Sequence, residues 1–583
     1  MPRTPPIAVR APLALLVLSL GLIAAGWWWL GRPVTLASAP VDPAIKLDCV
    51  SYAPFRGEQT PFMQDLIISP EQIAADLAEL SKVTQCVRTY SIDNGLDKVP
   101  ELASKVGLKV ILGVWIGRDR AKNALLIDQA VSLVEKYPGV ITAMIVGSEV
   151  LLRGEMIASD LRQTIRSAKS RVKIPVTYAD VWEFWERYRV VADDVDFITI
   201  HVLPYWEDFP VRAEQAAAHV DEIRKRVALE FPGKEILIGE AGWPSRGRMR
   251  EGALPSRINQ ARFVAELVER ARRENFRVNL FEAYDEPWKR QWEGTVGGAW
   301  GVFDGWTREL KYPAGATVSN HPLWRLQLAG GLLFGLCTFG SALLALRRRP
   351  SLPRLASWVG VAMSATLGGI LLGLAAEDFL YQSYGLGGWL LQGSLLSVGM
   401  AAPILCSNAI TSKRAIPTFR ELIGRGEGAP LALPKQILGF ALMAVTLLAV
   451  ETALSLVFDA RWRDFPFASL TMAVVPFWTA TLANRSTSSA RPIAEEVFAG
   501  LLALAAIYIV FNEGFRNWQS LWTSAVYFLL VNTLWRARSL PVAAMVPMMP
   551  TVSARAGLQP ASVVEFIAGA SSNDSHASPD RIY

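Results

Sequence analysis

Two short segments hold the residues best placed to do chemistry in this chain. One reads Gly147-Ser148-Glu149-Val150 and the other Gly239-Glu240-Ala241-Gly242-Trp243-Pro244-Ser245. Each sets a carboxylate just after a short apolar run, over 140–146 and 235–239. Two carboxylates that flank one bond suit glycoside cleavage. One protonates the leaving oxygen while the other acts from the opposite side. A single Glu at the end of a strand is usually a structural ion pair. Two of them, each beside a glycine-containing strand end, weaken that explanation. No CxxC or CxxH spacing occurs, so neither a metal site nor a cofactor is expected.

The surrounding residues fit a sugar. Between 45 and 315 the chain carries nine tryptophans: Trp115, Trp182, Trp185, Trp206, Trp243, Trp288, Trp292, Trp300 and Trp306. Most follow apolar runs. Sugar rings stack their apolar faces on flat aromatics, while their hydroxyls need charged or amide partners. Asp180, Trp182, Trp206, Asp285, Glu286, Trp288 and Lys289 supply both kinds. Trp288 is read as a substrate contact and Trp300 as core.

These residues need a scaffold that brings them to one mouth. Short apolar runs at 46–52, 85–90, 108–115, 140–146, 174–178, 196–201, 235–239 and 278–284 read as strands. Amphipathic stretches at 70–81, 121–136, 158–169, 213–229 and 256–274 read as helices between them. The expected fold is α/β, a (β/α)8 barrel over 45–315 outside the membrane. A doubly wound open sheet competes, but no GxGxxG follows the first strand. In a barrel, the ends of strands four and seven place Glu149 and Glu240 across the mouth from each other.

The rest of the chain is of another kind. Of 583 residues, 51% are hydrophobic and only 19% charged, which excludes a disordered chain and a plain soluble enzyme. Residues 11–31 read as a transmembrane anchor after a cytoplasmic stretch, 1–10. The small-x-small pattern Ala37-Ser38-Ala39 leaves a cleaved signal peptide as the alternative. Seven more apolar runs lie within 326–536, at 326–346, 355–376, 386–406, 436–458, 465–484, 497–511 and 518–535, forming an expected α-helical bundle. Eight spans place Arg347, Arg348, Arg349, Arg354, Lys413, Arg414, Arg420, Arg425, Lys435, Arg485, Arg491, Arg536 and Arg538 in cytoplasmic loops. Only Arg461, Arg463 and Arg516 fall outside. That asymmetry sets the orientation. The barrel is expected on the periplasmic face of an inner membrane, and the tail at 541–583 is expected to be disordered in the cytoplasm. The net charge of +6 is then a membrane signature and no nucleic acid is implied. Glu451, inside the fifth span, is either functional or a Glu near a helix end with a local partner. Cys337 and Cys406 read as packing residues. Cys49 and Cys86 fall in the first two strands, where the sequence leaves a disulfide open.

The domain at 45–315 resembles glycoside hydrolase family 17, the β-1,3-glucanases and β-glucanosyltransferases. The resemblance rests on Val146-Gly147-Ser148-Glu149-Val150, His201-Val202-Leu203-Pro204-Tyr205-Trp206, Ile238-Gly239-Glu240-Ala241-Gly242-Trp243-Pro244-Ser245 and Phe281-Glu282-Ala283-Tyr284-Asp285-Glu286-Pro287-Trp288-Lys289. It implies Glu149 as general acid/base and Glu240 as nucleophile, with Arg88, Tyr205, Glu286 and Lys289 around them. Trp243 belongs to the same signature. One departure is Ser148, where the family carries Asn to bind a sugar 2-hydroxyl; serine is shorter and weakens that expected contact. The layout with a membrane region resembles bacterial membrane proteins of β-(1,3)(1,6)-glucan synthesis. The expected function is a membrane-anchored retaining enzyme that transglycosylates β-1,3/1,6-glucan, with partners in β-glucan, the lipid bilayer and other glucan-synthesis or export membrane proteins. The alternatives are an endo-1,3-β-glucanase and a non-catalytic glucan-binding or export component. A nucleotide-sugar synthase is not expected, because no aspartate-rich metal motif or QxxRW segment occurs on the cytoplasmic side.

Overall fold

Eight short parallel strands close on themselves. They are β1 (Cys49–Ser51), β2 (Cys86–Arg88), β3 (Lys109–Val114), β4 (Ile141–Ser148), β5 (Val176–Val181), β6 (Ile198–His201), β7 (Ile236–Ala241) and β8 (Val278–Leu280). The ring is completed where Cys49 and Val50 of β1 pair with Asn279 and Leu280 of β8. This is the barrel that the alternating apolar runs imply. The computed structural model describes residues 7–42, 44–313, 315–347, 354–424, 431–484 and 493–536. The tail expected to be disordered lies outside these residues, as do Arg348, Arg349, Arg425, Arg485, Arg491 and Arg538.

Strand side chains alternate between two surroundings, as period two requires. Val50, Val87, Val110, Leu112 and Met144 join the large cluster beneath the helices, while Cys49, Cys86, Ile111, Ala143, Ile145, Ala179, Phe197 and Leu237 fill the barrel interior. Cys49 and Cys86, on neighbouring strands, form the disulfide that the sequence left open. The helices begin where capping chemistry places them. Ser69 accepts from Gln72 N at the start of Pro70–Leu80, Asp119 from Ala121 N and Lys122 N before Arg120–Lys136, and Ser256 from Asn259 N before Arg257–Glu274. Ile73, Leu77 and Leu80 follow helical spacing and are fully buried, each stabilising by about 1.5–3 kcal/mol.

The C-terminal region is a helical bundle. Among the described residues, six helices are long and apolar enough to cross a membrane: Arg10–Leu30, Trp324–Leu346, Leu355–Gln382, Gly385–Thr411, Leu433–Phe458 and Ile493–Glu513. Such helices support a multi-pass membrane protein. Phe467–Ala483 is a shorter apolar helix, and Trp518–Arg536 packs with it. The apolar run at 497–511 understates its helix, because Glu495 and Glu496 lie in the first turn of Ile493–Glu513. The Glu495 carboxylate there accepts from Phe419 N at 2.6 Å. Glu451 is exposed on Leu433–Phe458 and accepts from the Ser455 hydroxyl at 3.1 Å.

The barrel touches the bundle at the loops that the charge pattern places outside. Arg290 donates to Tyr381 O at 2.7 Å, the Thr295 hydroxyl to Asp464 at 2.6 Å, and Asn517 to Met249 O at 2.9 Å. Arg248 and Glu513 form a buried ion pair across this contact. Beside it, the Arg246 guanidinium lies 3.7 Å from the centre of the Tyr381 ring.

Candidate active site

β4 and β7 deliver the two carboxylates. Glu149 follows the last residue of β4, and its backbone is left-handed, with φ of 54°. A non-glycine residue is seldom held there, and such positions concentrate at functional sites. The amide of Glu149 donates to Ala179 O at 2.8 Å, and its side chain is 28% exposed to the cleft. Glu240 lies within β7 and is buried, accepting from the Tyr90 hydroxyl at 2.8 Å.

Arg88, buried at the end of β2, organises the floor. It donates to Gly239 O at 2.6 Å and to the Ser148 hydroxyl at 3.2 Å, and lies 3.4 Å from Glu240. Only glycine fits at 239. A Cβ there would stand 2.4 Å from the Thr199 methyl and 3.3 Å from Arg88 Nη1.

His201, at the end of β6, bridges the carboxylates. Its Nδ1 is 2.7 Å from Glu149 Oε1 and its Nε2 is 3.4 Å from Glu240 Oε1. Nε2 also faces both Arg88 amino groups, at 3.2 and 3.3 Å. Those groups can only donate, so Nε2 accepts and the proton sits on Nδ1, donated to Glu149. The ring stays neutral. Burial pushes its pKa down to about 4, with Arg88 reinforcing the fall and Glu240 opposing it. Burial raises the Glu149 carboxyl above the usual range, against the pull of Arg153 and Arg88.

A second charged group lies beside the first. Lys289 is 2.7 Å from Glu282 and 3.3 Å from Glu286. Burial pulls the Lys289 ammonium down, but Glu282, Glu286 and Glu293 outweigh it and hold the pKa above its ordinary value. Burial, helped by Glu286, lifts Glu282 well above the carboxylate range.

These groups open into a cavity of about 880 Å³. Of the residues expected at the site, Ser148, Glu149, Trp182, Trp206, Glu240, Glu286, Trp288 and Lys289 line it. Arg88 lies directly beneath the carboxylates. Asp180 is buried away from the opening, accepting from the Tyr178 hydroxyl and from Val181 N, and burial lifts its pKa to about 7. Tyr205 and Trp243 are buried behind the wall, donating to Arg248 O at 2.9 Å and Leu254 O at 3.2 Å. Asp285 pairs with Lys311 at 2.8 Å, and Trp300 is core. Neither His201 nor Tyr90 was among the expected site residues, although His201 opens one of the segments that carry the resemblance. His201 ends a strand next to that of Glu240, and Tyr90 stands two residues past Arg88, so strand ends and period two were the available signals. Arg461 and Trp462 also line the cavity, and nothing local to them announces it.

Glu149, His201 and Glu240 offer ligand atoms within 4.8 Å of one another, close enough for a metal ion. The Arg88 guanidinium, pointed at both His201 and Glu240, already supplies the positive charge an ion would bring. The donor set suits a hydrogen-bonded carboxylate pair better than a cation.

Residues 49–301 match the BtgE/BtgC glycoside hydrolase domain family. A probable glucan endo-1,3-beta-glucosidase of Aspergillus fumigatus, btgC, is 28% identical over 298 residues, which cover 45% of this chain and 42% of that protein. A probable beta-glucosidase of Aspergillus flavus, btgE, is 29% identical over 246 residues, covering 40% of each. The chain thus spans less than half the length of these curated relatives. A glycoside hydrolase family 17 beta-1,3-glucanosyltransferase from Rhizomucor miehei superposes with a TM-score of 0.41 at 25% identity, covering 46% of this chain and 95% of that one. The chain thus joins a stretch similar to the BtgE/BtgC glycoside hydrolase domain to a C-terminal region of long apolar helices.

Proposed function

We propose that the chain is a membrane-anchored retaining glycosidase that cleaves β-1,3-glucan, with Glu149 as general acid/base and Glu240 as nucleophile. The observation that carries this is the closeness of the two carboxylates, one oxygen of Glu149 lying within 4.8 Å of one oxygen of Glu240. Retaining enzymes hold the pair about 5–5.5 Å apart, whereas inverting enzymes need roughly 6.5–9.5 Å to admit water between them.

The chemistry follows from the surroundings. Burial favours the protonated form of Glu149, whose proton passes to the leaving oxygen as its bond to the anomeric carbon breaks. Glu240, oriented by Tyr90 and Arg88, bonds to the anomeric carbon from the other face and leaves a glycosyl ester. Glu149, now ionised and held by the His201 N–H, takes a proton from water. That water displaces Glu240 and completes hydrolysis. Ser148 accepts from Arg88 and keeps its own hydroxyl hydrogen for a sugar oxygen. The cavity wall supports a neutral sugar over an anionic one. Asp93, Glu183, Glu207, Asp208, Glu286 and Glu293 line it against Lys122, Arg187, Lys289 and Arg461. The curated relatives carry names for β-1,3-glucan and β-glucoside cleavage.

A second reading is transfer to a sugar hydroxyl in place of water. Aromatic rings on opposite sides of the carboxylates favour it: Phe62 and Trp288 near β1 and β8, Trp182 and Trp206 after β5 and β6. Such walls could hold donor and acceptor together. The charge pattern supports a periplasmic barrel for either reading.

The experiment uses the full chain in detergent with linear β-1,3-gluco-oligosaccharides, followed by proton NMR. The first-formed product should be the β-anomer. Glu240→Ala should lose several orders of magnitude in turnover, and azide should rescue it as an α-glycosyl azide. An α-anomer from the unaltered protein would rule out the retaining assignment. No cleavage would rule out the enzyme.

A further inference from the structure

The barrel does not enclose its cleft alone. Between the apolar helices Leu433–Phe458 and Phe467–Ala483 the chain makes one short turn, Ala460–Trp462. Two residues of that turn, Arg461 and Trp462, line the same cavity as Glu149 and Glu240.

Their placement is specific. The Trp462 ring meets Trp206 edge to face, with centroids 5.5 Å apart. The Arg461 guanidinium lies 5.4 Å from the centre of the Trp206 ring and 5.0 Å from that of Trp462. Glu293 lines the cavity from the helix Arg290–Gly297, which packs against the turn.

The turn is fastened to the barrel at the tryptophan and just after it. Gly294 has φ of +67°, and a Cβ on it would stand 2.2 Å from Trp462 O. Thr295 donates to Asp464 at 2.6 Å, and the Arg248 guanidinium lies 4.9 Å from the Phe465 ring. A loop needed only to join two helices requires no such fit. Arg461 is exposed, so packing does not explain its position either.

We infer that Arg461 and Trp462, with Trp206 and Glu293, form a glucose-binding subsite of the cleft that the membrane region supplies. The inference rests on the β-glucan reading above and adds which part of the chain recognises the polymer beyond the cleaved bond. The chemistry is that of a neutral β-linked hexose. The ring edges and faces offer apolar contact to its C–H groups, the guanidinium offers several donors to hydroxyl oxygens, and the Glu293 carboxylate accepts from hydroxyl hydrogens. Such a subsite is reached only by an oligosaccharide long enough to extend past the carboxylates.

The test uses full-length protein in detergent, with β-1,3-gluco-oligosaccharides of three and six units. In Arg461→Ala and Trp462→Ala, kcat/KM for the longer substrate relative to the shorter should fall roughly three- to tenfold. Gly294→Ala, which pushes the turn away without touching its side chains, should act in the same direction. Unchanged ratios in Arg461→Ala and Gly294→Ala, both melting as the parent does, would overturn the inference. A binding measurement separates it from the functional reading. In a Glu240→Gln background, calorimetry with the six-unit oligosaccharide should show weaker affinity once Arg461→Ala is added. A protein that binds but never cleaves leaves the subsite standing and removes the enzyme. Equal affinity with and without Arg461 removes the subsite, and no binding at all removes both.

Discussion

His201 donates its Nδ1 proton to Glu149 across 2.7 Å while its other nitrogen accepts from Arg88. The carboxylate expected to give up a proton is therefore held by a ring whose own proton is fixed in place. In the proposed mechanism His201 is a positioning residue. His201→Ala should lower kcat roughly 100-fold, with KM less affected. His201→Asn keeps a donor near the same point and should recover part of that loss. Equal kcat in the parent and both variants would remove His201 from the mechanism.

The pH dependence of cleavage should follow Glu149. Its carboxyl is raised first by burial and lowered by Arg153 and Arg88. Activity is then lost on the alkaline side as Glu149 gives up its proton. Arg153→Met removes one lowering charge and should move the alkaline limb of kcat/KM upward. A limb that moves down, or stays in place in a folded protein, would mean that another group sets it.

Stability should carry the mark of Asp180. Burial lifts its pKa to about 7 in the fold, from 3.8 for an ordinary aspartate. The folded state therefore holds a proton that the unfolded chain releases. Its stabilising effect is complete below the ordinary value and is lost as pH rises through about 7. Asp180→Asn has no such loss. Its melting temperature relative to the parent should rise between about pH 4 and about pH 8, with roughly 4 kcal/mol as the upper bound. Thermal scans at the two pH values decide the sign.

Trp288 tests transfer against hydrolysis. It meets Phe62 edge to face at 5.6 Å, and its indole N–H has no partner among the described residues. If Trp288 holds the acceptor, Trp288→Ala should yield fewer elongated products and more free reducing sugar, with donor cleavage largely kept. If Trp288 only packs the mouth, both products should fall together with the melting temperature. Chromatography of the products at millimolar oligosaccharide separates the two outcomes.

The barrel was legible in the sequence because it depends on local alternation, which short apolar runs and helix caps reveal. Glu149 and Glu240 were legible for a related reason: a carboxylate beside a glycine at a strand end is a local pattern. Tyr205 and Trp243 look like sugar platforms by type, yet both are buried, because aromatic residues after strands also wedge helices against a barrel. Asp180 sits one residue from the cleft-lining Val181, but strand alternation puts it with Tyr178 on the face opposite the barrel-filling Ala179. Arg461 and Trp462 could not be found locally. Their place depends on how a loop between two apolar helices meets a domain far away in the chain, and no residue spacing encodes that.

The antiparallel pairing of Val34 and Thr35 with Val318 and Thr317 has a consequence for how the whole chain is assembled. The barrel enters and leaves at the same spot, so it is an insertion between two neighbouring helices, Ile7–Leu30 and Trp324–Leu346. The first of these belongs to the bundle that follows: the Trp27 indole donates to Gly369 O at 3.1 Å. During synthesis that helix is made before the barrel and acquires its partners only after the entire barrel has emerged. Membrane packing and barrel folding thus become sequential demands on one polypeptide. A chain cut between them strands the first helix without the surfaces that bury Ile23 and Trp27.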